Sequence, residues 1–371
     1  MNFKPKRRRF LEATAAAALA APGIARAQGP IVLRLQTSWP AKSLFHEYAL
    51  DFAAKVNGMT GGDVRIEVLA AGSVPMPSGL LDAVSKGALD AGHGLLQYHS
   101  GRHPAFALWA AGPAFGMDAN LLLAWHRYGG GRELLARLYA ALGAGVVSFP
   151  YGPMPTQPLG WFQKPIARTR DLRGLRFRAT GMAAEIYAGL GAQVNALPPE
   201  DIAAALRRDV LDGAEFNNAA SDRELGLPGA AKVYMLQSYH QSAEQFEILF
   251  NKTKFEALPS KLRAILENAA EAASADMAWK AIDRYSAAHA ELLAEKRLRM
   301  QKTPDAVLQR ELAAYDAAAA KRRDDALYRE IEESQRRFAQ RAVRWQLDTQ
   351  VSPRLAYGHY FGAKPRPRRK R

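Results

Sequence analysis

Between residues 28 and 152, short runs of apolar and β-branched residues alternate with longer stretches whose apolar positions recur at helical spacing. Residues 31–39 (IVLRLQTSW) predict a strand that runs into a loop, residues 46–62 an amphipathic helix closed by glycines, and residues 64–69 (VRIEVL) the next strand. Residues 80–94 predict a helix followed by a short buried strand. This alternation is typical of a mainly parallel sheet with helices packed on it.

The same alternation of strand and helix patterns begins again near residue 146 and continues to residue 249, with segments of different sequence. The predicted strands are residues 145–151, 172–180, 232–240 and 245–251, and the predicted helices are residues 182–193 and 198–213. The second of these helices starts with proline, which is well tolerated at the first helical position. No short-period repeat is present, so we predict an α/β fold with two units in tandem.

From residue 255 to about residue 344 the chain is rich in Ala, Glu, Lys, Arg and Leu, with helical periodicity interrupted at Thr303-Pro304. Three arrangements fit this pattern: helices wrapped on one unit, a long helix that crosses both units, or helices that contact a partner chain. After Pro353 come an aromatic-rich stretch and a Pro/Arg tail. The composition of that tail is typical of an unstructured segment.

The length of 371 residues and the hydrophobic share of 48% suit a globular protein of two domains. The formal net charge of +15 is compatible with a nucleic-acid or membrane partner. However, residues 1–27 carry a net +5 and residues 364–371 carry six positive charges, which leaves +4 for the rest of the chain. Nucleic-acid binding needs cations clustered on the folded body, so this distribution argues against it.

The N-terminus has the pattern of an export signal. A basic start is followed by an apolar run over residues 13–21 and by Ala25-Arg26-Ala27, which fits the small-x-small rule of signal peptidase. Residues 7–11 (RRRFL) match the core of a twin-arginine signal. The apolar run is too short to span the roughly 30 Å of a bilayer core as an anchor. We therefore expect residues 1–27 to be a twin-arginine signal peptide and the mature protein to be periplasmic.

The sequence does not carry the residues of common catalytic sites. Cysteine is absent, which excludes disulfides, thiolate metal ligands and a cysteine nucleophile. There is no G-x-S-x-G, H-E-x-x-H or P-loop motif. His93, His99 and His103 are close in sequence, and we expect them to be side chains of loop structure and not a metal site. We therefore expect a binding protein and not an enzyme.

Binding needs only a few polar groups at strand ends, because ligands of α/β folds lie beyond the carboxyl ends of the strands. The candidates that follow the predicted strands are Trp39, Tyr98, Gln157, Arg178, Glu215 and Gln241. Arg178 offers a planar fork of donors that fits a carboxylate, the alternative being a surface salt bridge. The oxygens of Gln157, Glu215 and Gln241 suit a hard cation such as Na⁺ or Ca²⁺, although a capped turn or an interlobe hydrogen bond would use the same residues.

Three stretches in this order resemble the periplasmic substrate-binding subunits of TRAP (tripartite ATP-independent periplasmic) transporters. They are residues 172–202 (LRGLRFRATGMAAEIYAGLGAQVNALPPEDI), 211–227 (LDGAEFNNAASDRELGL) and 234–252 (YMLQSYHQSAEQFEILFNK). The similarity covers residues from about 31 to 348 and is greatest to the branch that binds α-keto acids, lactate or other small organic anions with a metal ion. It implies two α/β lobes of the periplasmic binding protein type, joined by crossing strands, spanned by a long helix and closed by a hinge.

The resemblance also implies the residues of the substrate site. Arg178 would hold the substrate carboxylate, and Gln157 and Asn217 would line the cleft near it. Trp39 and Tyr98 would line the side that the first lobe forms. The substrate would be a small 2-oxo or 2-hydroxy monocarboxylic acid.

A cation site is implied beside it. The side chain of Glu215 and the carbonyl oxygen of Phe216 would be ligands, and Gln157 and Gln241 would add amide ligands. A monocarboxylate and Glu215 beside Arg178 leave a charge of −1, which Na⁺ would bring to zero and Ca²⁺ to +1. The charges alone therefore leave the cation, Na⁺ or Ca²⁺, open.

The implied function is a receptor that delivers a small organic anion to the membrane permease subunits of a TRAP transporter without changing it chemically. An exported sensory receptor and an exported enzyme loaded with a cofactor are the alternatives. A homodimer would form by exchange of C-terminal helices. The predicted organisation is a first lobe of residues 28–150 and about 246–290, a second lobe with C-terminal helices of residues 151–245 and about 291–350, and a segment of residues 351–371 with a disordered basic tail.

Overall fold

The computed structural model describes residues 29–72, 79–110 and 112–362. The expected signal peptide and the basic tail lie outside these residues. Within the described residues, two mixed β-sheets form the centres of two lobes, one sheet with five strands and the other with six. The prediction of a two-lobe α/β fold is therefore confirmed.

The strands in chain order are β1 (Ile31–Thr37), β2 (Val64–Leu69), β3 (Ala91–Leu95), β4 (Val146–Met154), β5 (Gly160–Phe162), β6 (Arg176–Arg178), β7 (Gln193–Asn195), β8 (Gly213–Ala214), β9 (Val233–Leu236), β10 (Glu244–Asn251) and β11 (Arg299–Lys302). The helices are α1 (Leu44–Thr60), α2 (Leu80–Ser85), α3 (Ala119–Tyr128), α4 (Gly131–Ala141), α5 (Gly181–Gly189), α6 (Pro199–Arg207), α7 (Ala219–Glu224), α8 (Lys252–Glu256), α9 (Ser260–Ala294), α10 (Asp305–Ala320), α11 (Ala326–Thr349) and α12 (Pro353–Phe361).

The sheet of the first lobe has the order β2-β1-β3-β10-β4. β1 pairs in parallel with β2 and β3, as the alternation of strand and helix predicts. β10 lies antiparallel between β3 and β4, because the chain returns to this lobe from the second one. The sheet is therefore mixed and not purely parallel.

The sheet of the second lobe has the order β11-β9-β5-β8-β6-β7. β6 is parallel to both β7 and β8, whereas β5 is antiparallel to β8 and β9. The carboxyl ends of β6 and β8 consequently lie side by side at one edge of this sheet. In folds of this kind that edge is where ligands bind.

The chain passes between the lobes at residues 155–159 and again at residues 237–243. The backbone N–H of Gln157 donates to the carbonyl oxygen of Gln241 at 3.0 Å. Gly112 pairs with the second crossing as well, since its N–H donates to the carbonyl of His240 at 2.7 Å. These bonds tie the two crossing segments to each other and to the first lobe, as a hinge requires.

The long helix α9 spans both lobes. Leu266 near its start and Met277 at its midpoint are buried in the apolar core of the first lobe. Ala288 and Leu292 near its end belong to a core of the second lobe. Each fully buried Leu or Met side chain contributes about 1.5–3 kcal/mol, so the helix is anchored at both ends. Of the three arrangements open from the sequence, the structure has the helix that crosses both lobes.

Helix α11 packs on the first lobe, although it follows helix α10 of the second lobe in the chain. Ile331 and Phe338 of this helix are buried with Trp125 in an apolar core of the first lobe. The preceding helix α10 does pack on the second lobe. Helical periodicity shows which face of a helix is apolar but does not show which lobe that face meets.

No helix among the described residues is long and apolar enough to cross a membrane.

Replacement of Gly112 tests the tight packing at the hinge. Gly112 has φ of 78°, and a Cβ there would lie 2.2 Å from the ring of Tyr315 on α10. Gly112→Ala is expected to lower the free energy of unfolding by about 3 kcal/mol, since a left-handed alanine costs about 1–2 kcal/mol and overpacking about 1–3 kcal/mol. Gly61→Ala is the matched control, because Gly61 has φ of 62° but no atom within 4 Å of that Cβ. Equal losses for both variants in urea denaturation would contradict this packing.

Candidate ligand-binding site

A cleft of 1210 Å³ lies between the lobes. The predicted site residues that line it are Trp39, Tyr98, Arg178, Glu215, Phe216, Asn217 and Gln241. Gln157 lies directly behind this wall and reaches it through hydrogen bonds to Glu215 and Phe216. The structure thus brings all of these residues together at one place, although they come from segments more than a hundred residues apart in the sequence.

Two parallel strands of the second lobe position the charged residues. Arg178 is the last residue of β6, and Glu215 directly follows β8. Arg178 and Ala214 are paired across these strands, and the N–H of Glu215 donates to the carbonyl of Arg178 at 3.1 Å. Both side chains therefore leave the same sheet edge into the cleft.

Arg178 is only 5% exposed, and its guanidinium is fixed on two sides. Nε donates to the carbonyl of Leu197 at 3.0 Å. Nη1 donates to the carbonyl oxygen and to Oε1 of Glu215, each at 3.0 Å. Nη2 makes no hydrogen bond with any described residue. The contacts of Nε and Nη1 thus fix the orientation of the guanidinium, and Nη2 remains to donate to a ligand in the cleft.

Glu215 is 4% exposed and accepts hydrogen bonds from three groups. Oε1 accepts from Nη1 of Arg178 and from the N–H of Thr180 at 3.2 Å. Oε2 accepts from Nε2 of Gln157 at 2.7 Å. A buried carboxylate needs such compensation, because an unpaired charge in the interior is very costly.

Gln157 brings two oxygens of the second lobe to one point. Its Nε2 donates both to Oε2 of Glu215 and to the carbonyl oxygen of Phe216. Its Oε1 lies 3.0 Å from Nε2 of the buried His240. The side-chain oxygen of Glu215 and the carbonyl of Phe216 therefore converge within hydrogen-bond reach of a single atom. A hard cation requires this kind of convergence.

Glu244 is a buried carboxyl group at the cleft that was not among the predicted residues. It is 2% exposed, and its Oε2 accepts from Nε2 of Gln241 at 2.8 Å. Burial, with a contribution from nearby Glu215, raises the pKa of Glu244 to about 8. The bond to Gln241 uses the amide nitrogen of that residue, whereas its amide oxygen makes no hydrogen bond with a described residue. Glu244 directly precedes the predicted strand of residues 245–251, so its position at a strand end was the available sequence signal.

Aromatic rings form the wall that the first lobe contributes. Trp39 follows β1, and its ring centroid lies 5.3 Å from that of Phe246 and 6.4 Å from that of Tyr98. Burial raises the pKa of the Tyr98 hydroxyl, which keeps it protonated. The two walls are therefore chemically different: the first lobe presents rings, and the second lobe presents an arginine, a carboxylate and carbonyl groups. Such a site suits a small molecule with an anionic end and a less polar end.

Residues 35–330 match the profile of the family described as DctP, bacterial extracellular solute-binding protein, family 7. The chain belongs to this family. Its members and its structural neighbours are transport receptors, so this solute-binding protein is not an enzyme. Family membership also implies a periplasmic location.

Individual relatives agree with this assignment. The solute-binding protein is 30% identical over 324 residues to a monocarboxylate 2-oxoacid-binding periplasmic protein of Nostoc sp., covering 86% of this chain and 87% of the relative. A TRAP transporter solute-binding protein from Bordetella bronchiseptica, with calcium and picolinate bound, is 26% identical and superposes with a TM-score of 0.80 over 90% of this chain and 97% of that one. A third, from Pseudoalteromonas atlantica with sodium and pyruvate, is 26% identical with a TM-score of 0.79 over 90% and 99% of the chains.

The polar cluster that follows Phe216 in the solute-binding protein stabilises the local backbone. Asn218 caps α7, since its Oδ1 accepts from the N–H groups of Ala220 and Ser221 at 3.0 Å each. Oδ1 of Asp222 accepts from the N–H groups of Asn217 and Asn218. These contacts fix the turn that presents the Phe216 carbonyl to the cleft.

The three neighbouring histidines of the first lobe have separate partners. Nε2 of His99 lies 2.5 Å from the buried carboxylate of Glu247, and Nε2 of His103 lies 3.3 Å from Asp325. His93 is buried behind Trp39, with its ring 5.1 Å from that of Trp39 and no hydrogen bond to a described residue. Their surroundings are thus those of separate structural side chains.

His93 should make the protein sensitive to acid. Burial lowers the pKa of His93 to about 3, below the ordinary value of 6.5 for an unfolded chain. Its contribution to stability is therefore complete above pH 6.5 and is lost as the pH falls toward 3. Between pH 7.5 and 5 the loss amounts to about 2 kcal/mol. His93→Phe should reduce the difference in unfolding free energy between these two pH values by that amount. An unchanged pH dependence in urea denaturation would contradict the assignment.

Proposed function

We propose that the protein is the periplasmic receptor of a TRAP transporter for a small 2-oxo or 2-hydroxy monocarboxylic acid. It binds this anion with a cation in the cleft and delivers it to the membrane permease. The family and the relatives that bind pyruvate, picolinate or 2-oxo acids support this proposal.

The observation that carries the proposal is the held guanidinium of Arg178. Its contacts to Leu197 and Glu215 leave Nη2 for a ligand at the mouth of the second-lobe sheet. A carboxylate there would receive charge-assisted hydrogen bonds from a group that is already oriented, so little side-chain entropy is lost on binding. Trp39 and Tyr98 would cover the rest of the ligand when the hinge closes.

A cation fits the oxygens beside Arg178. Glu215 and the Phe216 carbonyl would provide two ligands, and the oxygens of Gln157 and Gln241 two more. All of these are hard donors, which suits Na⁺ or Ca²⁺. The cation would offset the repulsion between Glu215 and the substrate carboxylate in the low-dielectric cleft.

Calorimetric titration tests this function directly. Protein freed of bound ligand is titrated with pyruvate, lactate and longer 2-oxo acids, with and without a chelator. Saturable binding of at least one of these acids that weakens with the chelator is the expected result for a calcium site, and a sodium-free buffer makes the same test for sodium. If none of these anions bound under any condition, the proposal would be wrong.

We propose the twin-arginine route for export, on the basis of Arg7-Arg8-Arg9-Phe10-Leu11. Replacing Arg7 and Arg8 with lysine should leave the protein in the cytoplasmic fraction. Secretion of this variant at the normal level would exclude the route.

We also propose a homodimer through the C-terminal helices. Helix α12 has no buried residue, and Leu355, Tyr357, Tyr360 and Phe361 on it are 67% to 73% exposed. Apolar side chains that are exposed in this way favour contact with a second copy. Light scattering should show a dimer for the full chain and a monomer after removal of residues 351–371. A monomer for both chains would count against the proposal.

A further inference from the structure

A buried chain of hydrogen bonds leads from helix α10 to the proposed cation site. His240 is fully buried in the second crossing segment. Its Nε2 lies 3.0 Å from Oε1 of Gln157, and its Nδ1 lies close to Oγ of Ser238 and 3.2 Å from the hydroxyl of Tyr187. Oγ of Ser238 donates to Oε1 of Glu311 at 2.9 Å. Glu311, which is fully buried, does not line the cleft.

The donors around His240 fix the position of its ring proton. The hydrogen of Ser238 is used on Glu311, and that of Tyr187 is donated to the carbonyl of Leu159 at 3.0 Å. Each hydroxyl has one hydrogen, so both can only accept from Nδ1 of His240. Nδ1 must therefore carry the proton. With one proton on the ring, Nε2 of His240 is an acceptor.

This tautomer decides which end of the Gln157 amide faces the cation site. An acceptor at Nε2 of His240 requires the NH₂ group of Gln157, which turns the amide oxygen toward Glu215 and the Phe216 carbonyl. Three oxygens then converge on one point. The opposite orientation, described above, has Nε2 of Gln157 toward Glu215 and Phe216 and Oε1 toward Nε2 of His240. It requires a proton on Nε2 of His240, which the hydroxyl groups around Nδ1 do not allow. Because the oxygen and the nitrogen of an amide occupy equivalent positions, we infer the turned amide for Gln157.

We propose that Glu311 is a positioning residue that acts through Ser238 and His240 to turn the amide oxygen of Gln157 into the cation site. The inference rests on the proposed function, because it concerns the cation that this function requires. It deepens that function by assigning control of cation binding to a carboxylate outside the cleft. Partners of this kind, which orient a metal ligand without touching the metal, are common in metal sites.

Glu311→Gln tests this chain of hydrogen bonds, because it replaces one carboxylate oxygen with an NH₂ group and keeps the shape of the side chain. Oε2 of Glu311 accepts from the N–H of Tyr239 at 2.9 Å, so the amide oxygen of the glutamine must take that place. Its NH₂ then donates to Ser238, whose own hydrogen turns to Nδ1 of His240. The ring proton moves to Nε2, and Gln157 presents NH₂ to the site. Cation affinity should fall about 10- to 100-fold.

The measurement is calorimetric titration of chelator-treated protein with CaCl₂ and, in parallel, of sodium-free protein with NaCl. The cation that the wild type binds is used for the variants. Nitrogen-15 NMR of the histidine rings should show His240 protonated at Nδ1 in the wild type and at Nε2 in Glu311→Gln. This readout reports the tautomer itself and would not change with a general loss of stability.

Gln157→Glu provides the rescue. A carboxylate presents oxygen to the site in either tautomer, so adding Glu311→Gln to Gln157→Glu should leave cation affinity unchanged. Glu247→Gln is the matched control, because Glu247 is a fully buried carboxylate held by Tyr139 and Ser148 and has no contact with Gln157. It should lower stability without changing cation affinity.

The outcomes separate this inference from the proposed function. If the wild type binds neither cation and no acid, the proposed function is wrong. If the wild type binds a cation and Glu311→Gln binds it equally well, the inference is wrong. It is also wrong if Glu311→Gln lowers affinity by the same factor in the Gln157→Glu background, or if the NMR tautomer does not change. If Glu311→Gln fails to fold, the wild-type spectrum still decides, because protonation of His240 at Nε2 in the wild type would make the inference wrong.

Discussion

Replacing Arg178 with lysine is expected to lower the affinity for a monocarboxylate such as pyruvate by about 10- to 100-fold, since a hydrogen bond to a charged group contributes about 1.5–3 kcal/mol. The guanidinium is held by Leu197 and Glu215 and still has Nη2 for the ligand. A lysine ammonium group keeps the positive charge, but it cannot donate hydrogen bonds to Leu197, Glu215 and the ligand in one plane as the guanidinium does. Calorimetric titration with pyruvate at saturating cation measures the loss.

Arg176→Lys is the matched control for this prediction. It is the same substitution two residues earlier on β6, where the side chain is exposed and pairs with Asp212 at 2.7 Å. Strand alternation places Arg176 and Arg178 on one face, but only Arg178 lies at the strand end in the cleft. The control should bind with wild-type affinity. Equal losses in both variants would mean that any such change on β6 weakens binding and that the fork of Arg178 has no special role in holding the ligand.

The location of Arg178 and Glu215 could be predicted from the sequence because it follows from strand geometry. Each residue ends or follows a short strand, and the carboxyl ends of parallel strands lie at one sheet edge. The types of side chain then restrict the chemistry, since a guanidinium beside a carboxylate is suited to an anion accompanied by a cation. The resemblance to the transporter subunits added the Phe216 carbonyl, which side-chain chemistry does not reveal.

The environment of Gln157 could not be predicted. Its partner His240 is 83 residues away on the other crossing segment, and the two meet only because the hinge strands lie side by side. Glu311 is a further 71 residues along the chain and reaches Ser238 through the packing of α10. Sequence patterns report periodicity within an element, whereas these contacts depend on how elements from both lobes pack together.

Helix α11 and Glu244 are two further features whose neighbours in the fold could not be predicted from the sequence. The apolar stripe of α11 is visible in the sequence, but its burial against Trp125 depends on the path of the chain after α10. Glu244 stands at the start of β10, and its burial depends on neighbours such as Gln241 that periodicity does not reveal. Elements and their polarity can therefore be predicted locally, whereas neighbours across the hinge cannot.

Replacing Glu215 with glutamine is expected to lower ligand affinity by more than about 30-fold and to remove its dependence on the cation, since loss of one partner of a buried charge pair costs roughly 2–5 kcal/mol. Glu215 accepts from Arg178, Thr180 and Gln157, so a glutamine would direct an NH₂ group toward at least one donor. The site would also lose its negative charge, and a cation beside Arg178 would then be repelled without compensation. Titration with pyruvate, with and without chelator, should show weak binding that the chelator no longer changes.

Glu200→Gln separates a ligand role from a general effect of charge. Glu200 lines the same cleft but is exposed, so it makes the same change in net charge without touching Arg178 or Gln157. Because water and salt screen an exposed carboxylate, this variant should stay within about twofold of the wild type and keep its response to the chelator. If Glu215→Gln behaved in the same way, Glu215 would serve only to hold Arg178, and the cation would have to lie elsewhere. A full loss in Glu215→Gln with no loss in Glu200→Gln would support Glu215 as the anionic ligand of the cation.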